Sequence, residues 1–118
     1  MKIIKVIFAL ETAHLLTAEK GSAFLQLVKS ELNSEDIVEL DFAGYEFISS
    51  SFINRAFGDI CLEKGWDVKD FYSKVKFTNI DKDDIDDIEL AIFNAKHRRE
   101  LMDSGKNLSD YYPPSYAY

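Results

Sequence analysis

The chain has 118 residues, 47 % of them apolar, which suits one domain with a modest core. Its 21 acidic and 14 basic side chains leave a net charge of −7, which disfavours nucleic acid and anionic membrane surfaces as partners. No apolar run reaches the ~20 residues of a membrane span. The single cysteine, Cys61, rules out an internal disulfide framework and fits a reducing compartment. Composition thus points to a soluble cytoplasmic domain.

The opening residues 2–10 are rich in β-branched types and read as a strand. They imitate a signal peptide only superficially, since Lys5 interrupts the apolar stretch and Glu11 stands where a small-residue cleavage site belongs. Residues 12–17 allow a short second strand around Leu15 and Leu16, which would close a hairpin. Glu19-Lys20-Gly21-Ser22 reads as a turn, with Ser22 as the N-cap of a helix. Ala23, Leu27 and Ser30 share one side of that helix, and Phe24, Leu25, Val28 and Leu32 widen its apolar stripe. Ile37 to Phe42 is the clearest strand, broken by Ala43-Gly44, with residues 45–48 extended beyond it. Three hydroxyls follow, Ser49-Ser50-Ser51, and a helix begins at once. Phe52, Ile53, Ala56, Phe57, Ile60 and Cys61 mark one broad face of it, and Lys64-Gly65 ends it. After a connector over 66–72, Val75 to Ile80 alternates as a half-buried strand does. The last helix starts near Asp81 and carries Ile85, Ile88, Ile92 and Ala95 as its buried stripe. Acids crowd its start and Lys96-His97-Arg98-Arg99 its end, as the helix dipole favours. Residues 102–118 form a tail with four tyrosines and a Pro-Pro pair, suited to packing on its own domain, to a partner, or to disorder. Strands alternating with helices predict an α/β domain over residues 1–101. Its architecture would be a mixed sheet of about four strands with helices mainly on one face.

Several residues invite chemistry and have a simpler account. Asp81 to Asp87 suggests a calcium loop, but Asp86 stands at the sixth position and Ile92 at the twelfth, where an EF-hand needs Gly and an acid. The cluster reads better as an acidic helix start. With two histidines, His14 and His97, and one cysteine, no zinc set is expected. Cys61 falls on an apolar helix face and reads as a buried thiol. Glu39 and Asp41 lie two apart on a strand and face the same way. If both faces of the sheet are covered, Asp41 needs a hydrogen-bond partner such as the serine loop. No phosphate-cradling glycine loop is present among the five glycines, and no cofactor is expected.

The block 37–58, IVELDFAGYEFISSSFINRAFG, carries more information than the rest of the chain. It resembles the centre of the STAS domain, the fold of anti-sigma-factor antagonists. That centre is a buried strand ending in an acid, a glycine-containing bend, an aromatic-aliphatic pair and a D-S-S-G-type loop opening a helix. The block resembles still more the STAS-like family DUF4325, with its L-D-F-x-G-x-x-x-I-S-x-S-F pattern followed by F-G. Here that pattern falls on Leu40-Asp41-Phe42, Gly44, Ile48-Ser49, Ser51-Phe52 and Phe57-Gly58. In STAS antagonists the first serine after the motif's acid is phosphorylated by a kinase of the GHKL ATPase class. The resemblance places that serine at Ser50, with Ser49 where the motif has Asp and Phe52 where it has Gly.

The physics of such a loop is simple. The first turn of a helix leaves backbone N–H groups without internal acceptors, and a serine cap satisfies one of them. The same end carries partial positive charge and tolerates a phosphate or a partner's carboxylate. The resemblance therefore implies a non-catalytic regulatory module whose binding face is Ser49, Ser50, Ser51, Asn54 and Arg55, supported by Asp41. The implied partner is a GHKL-type ATPase or kinase. A different expectation rests on charge alone: an acidic inhibitor acting through residues 81–89 on a basic protein surface.

Overall fold

The computed structural model describes residues 2–103; of the Tyr/Pro-rich tail expected over residues 102–118, positions 102 and 103 continue the last helix and positions 104–118 lie outside the described residues. Among the described residues, five strands and six helices run in the order β1 (Lys2–Lys5), α1 (Val6–Ala9), β2 (His14–Leu15), α2 (Ala18–Ser34), β3 (Val38–Asp41), β4 (Phe47–Ile48), α3 (Ser50–Ile53), α4 (Asp59–Lys64), α5 (Val68–Tyr72), β5 (Val75–Thr78) and α6 (Lys82–Asp103). A π-helical segment, Asn54–Gly58, joins α3 to α4.

The α/β class stands, but the sheet differs from the expected single mixed sheet. All pairings are parallel, in a three-stranded sheet of order β1-β3-β5 and a two-stranded sheet β2-β4. The first expected strand is cut short at Lys5, where the chain winds into α1. Val6 and Leu10, four residues apart, are both buried while Phe8 points out, so one helical turn rather than a strand fits this burial. The short strand near Leu15 exists, yet it forms no hairpin with β1. It pairs with β4, His14 beside Phe47 and Leu15 beside Ile48.

The start of α2 corrects another expectation. Its N-cap is Thr17, whose Oγ1 accepts from the Lys20 amide at 3.1 Å, and Ser22 lies inside the helix. Gly21 is therefore helical. A Cβ there would sit 2.9 Å from Arg55 Cβ and 3.0 Å from the Phe52 carbonyl oxygen, so glycine lets α2 press against α3. The buried stripe of α2 is Gly21, Phe24, Leu25 and Val28; Ala23 and Ser30 are exposed.

Along the three-stranded sheet, Ile4, Val38, Leu40 and Val75 face the core. Ile3, Lys5, Glu39, Asp41, Lys76 and Thr78 occupy the other, largely open face, so the helices do cover one side. The core is aromatic: Phe24, Phe42, Phe52, Phe57 and Phe71 are fully enclosed. Phe24 stacks on Phe52 at 5.7 Å and meets Phe57 edge-on at the same distance. All six residues expected on the buried face after the serines are buried.

Gly65 ends α4 with φ 71°, a left-handed cap. The bases expected to complement the end of α6 serve this one instead. Arg99 donates to the carbonyl oxygens of Leu62 and Glu63, and Lys96 to that of Gly65 at 3.4 Å. Helix α6 itself runs on to Asp103.

Candidate functional site

The serine loop lies where β4 runs into α3. Ser49 is half-buried and does the structural work. Its Oγ accepts from the Phe52 amide at 3.1 Å and donates to the Leu16 carbonyl oxygen at 2.6 Å. One hydroxyl thus caps the helix and ties it to the segment after β2. The Ser49 amide adds a backbone bond to the Leu15 oxygen at 2.9 Å. Ser50 and Ser51, in the first turn, are exposed.

One turn on, Asn54 opens the π segment. It is half-buried, and Arg55 is exposed with its Nε 3.4 Å from Asp59 Oδ2. The stem of Arg55 packs over Gly21. Ser50, Ile53 and Asn54 form one wall of a shallow groove of about 120 Å³. The other wall comes from α6: Asp87, Leu90 and Ala91. The sequence reading missed the α6 wall. Leu90 looks like one more residue of an amphipathic helix until the packing of α6 beside α3 is known.

Asp41 is not a neighbour of the serines. Its Oδ1 accepts from the Ala43 amide at 2.9 Å and from Asn79 Nδ2 at 2.8 Å, and these two bonds hold its carboxyl below the usual carboxylate range. Beside it, Tyr45 donates to Asp84 and accepts from the Asp81 amide at 3.0 Å. Burial, and then the Asp84 bond, push its phenol up to about 12. Together these residues lock the turn after β3 to the loop after β5. Asp41 thus fixes the corner from which the chain travels to the serine loop. Cys61 is buried, and desolvation pushes its thiol up to about 12, so it is a core residue with little thiolate character. His14 pairs with Glu46 at 3.0 Å at the surface beside β2.

A strand, a glycine bend, a short strand and a serine-capped helix on a parallel sheet define a STAS-like α/β domain. A family model described as a STAS-like domain of unknown function, DUF4325, matches residues 20–84, more than half of the chain, and the chain belongs to that family. No curated protein and no solved structure matches it. The matched stretch holds α2 from Lys20 on, β3, the serine loop and β5, and stops in the first turn of α6. No helix among the described residues is long and apolar enough to cross a membrane.

Proposed function

We propose that this chain is a non-catalytic regulatory module that binds another protein through the serine loop and the helical segment it opens. The partner we propose is an ATPase or kinase of the GHKL class. The observation that supports the reading is the division of labour among the three serines. Ser49 spends its hydroxyl on capping and tethering, which leaves Ser50 and Ser51 presented at a helix start beside a groove. A helix start favours an anionic group, whether a partner's carboxylate or a phosphate placed on Ser50. Phosphate on Ser50 would be tolerated by the helix and would add charge at the face a partner approaches.

The test is affinity capture from native cells with the tagged chain and its Ser50→Glu variant side by side. Recovery of an ATPase by the unaltered chain and its loss with Ser50→Glu is the expected result. Equal recovery by both removes Ser50 as the switch, and recovery of no ATPase by either overturns the partner class.

The acidic-inhibitor reading keeps one supporting observation: Asp83, Asp86 and Asp87 are all exposed on α6. Asp84 is tied to Tyr45, so a charge-reversal test of that reading changes the other three and leaves Asp84 alone.

A further inference from the structure

Helix α6 buries one side through Ile88, Ala91, Ile92 and Ala95. On the opposite side Asp83, Asp86, Leu90, Phe93 and His97 follow one another at spacings of three and four, the spacing of a helix–helix seam. Leu90 is 46 % and Phe93 63 % exposed, two large apolar side chains in the middle of this outward stripe. The Phe93 ring lies parallel to the His97 imidazole with centroids 6.4 Å apart, which extends the flat surface by one turn. Acids occupy the stripe on the N-terminal side of this pair. His97, with Arg98 on the flank, occupies the C-terminal side.

That order is self-complementary under a half-turn. Setting α6 antiparallel to α6 of a second copy, about an axis level with residues 91 and 92, brings Leu90 against the second copy's Phe93. The same operation sets Asp86 opposite His97 and Asp87 beside Arg98 on the flank. Each match occurs twice, as a twofold interface requires. Asp83 meets Glu100, a like-charge match, and Asp86 already carries an exposed ion pair with Lys82 at 3.3 Å. Parallel alignment would stack acid on acid and base on base. Antiparallel alignment also opposes the helix dipoles.

We infer that α6 is a homodimerisation helix, and that a second copy of this chain covers Leu90 and Phe93 in antiparallel register. The seam from Asp86 to His97 lies beyond the family-matched stretch. Leu90 also walls the groove beside Ser50, and self-association and partner capture are read by different measurements, so either can fail without the other.

The test is sedimentation velocity on the full chain from low to several hundred micromolar. The unaltered chain should dimerise. Leu90→Glu and Phe93→Glu should weaken the dimer at least tenfold with an unchanged circular dichroism spectrum, because both side chains are exposed. A pair of charge variants sharpens the register. Asp86→Lys with Asp87→Lys, and His97→Glu with Arg98→Glu, should each weaken self-association, and an equimolar mixture of the two should recover it as a heterodimer. A chain that stays monomeric at every concentration overturns the inference, as does a dimer indifferent to Phe93→Glu. A chain that dimerises only after removal of residues 104–118 also overturns it, since its own tail would then cover the helix.

Discussion

Two corners of the molecule, each at the C-terminal end of a parallel strand, use polar side chains in opposite ways. Beyond β3, the carboxylate of Asp41, the amide of Asn79, the phenol of Tyr45 and the carboxylate of Asp84 bond to the chain and to one another. Beyond β4, one serine of three is tied down and two face outward. The first corner spends its polarity on joining distant loops, 38 residues apart in the case of Asp41 and Asn79. The second holds polarity in reserve on a rigid helix start. A site for a partner needs both: exposed groups, and a frame that prevents them from wandering.

The largest effect is expected where that frame is tightest. Gly21→Val would place a side chain 3.0 Å from the Phe52 carbonyl oxygen, a backbone atom that cannot yield alone. It should cost about 1–3 kcal/mol in urea unfolding. It should also weaken partner capture, because α2 would be forced away from the helix that carries the serines. Unchanged stability would show that the contact between α2 and α3 is loose.

Tyr45→Phe comes next and tests the tied corner alone. It strips a half-buried hydroxyl from an acceptor and a donor at once, and should cost about 1–2 kcal/mol while leaving partner capture intact. The sign with pH follows from the raised phenol. A group whose folded pKa of about 12 exceeds its ordinary value of 10.0 contributes stability fully below pH 10, and that stability is lost as pH rises toward 12. Tyr45 should therefore add to the alkaline loss of stability in that window, alongside the raised Cys61 thiol, and Tyr45→Phe should reduce that loss by its own share. Asp41 works in the opposite sense. Its lowered carboxyl contributes stability above the ordinary carboxylate range, and that contribution is lost as pH falls through its folded value.

The same contrast explains what was legible in the sequence. Burial periodicity is local, so the apolar face from Phe52 to Cys61 and the strand at Val38–Asp41 could be read directly. The family resemblance also lay in one contiguous block. Features set by residues far apart were hidden. β2 pairs with β4 across more than thirty residues, and nothing in His14-Leu15 announces that partner. Gly21 looked like a turn because the reason for it, the Arg55 stem and the Phe52 carbonyl, lies on another helix. The π segment at Asn54–Gly58 keeps the same apolar residues inward and so leaves no mark on the pattern. At the site, the serines were visible and the opposite wall of their groove, Leu90 on α6, was not.

The smallest stability effects are the most informative about function, because they separate adjacent hydroxyls. Ser49→Ala removes the cap and the tether to Leu16, and should cost about 1 kcal/mol. Ser50→Ala removes an exposed hydroxyl one residue later and should move stability by less than about 0.5 kcal/mol. If the serine loop is a binding face, the order reverses for partner capture. Ser50→Ala should reduce it more than its negligible stability change explains, whereas Ser49→Ala should act only through the fraction of chain it unfolds. Chemical denaturation and capture measured on the same two variants decide the matter. Capture that follows stability in both variants would make the three serines a helix cap and its neighbours, and would move the binding face elsewhere on the domain.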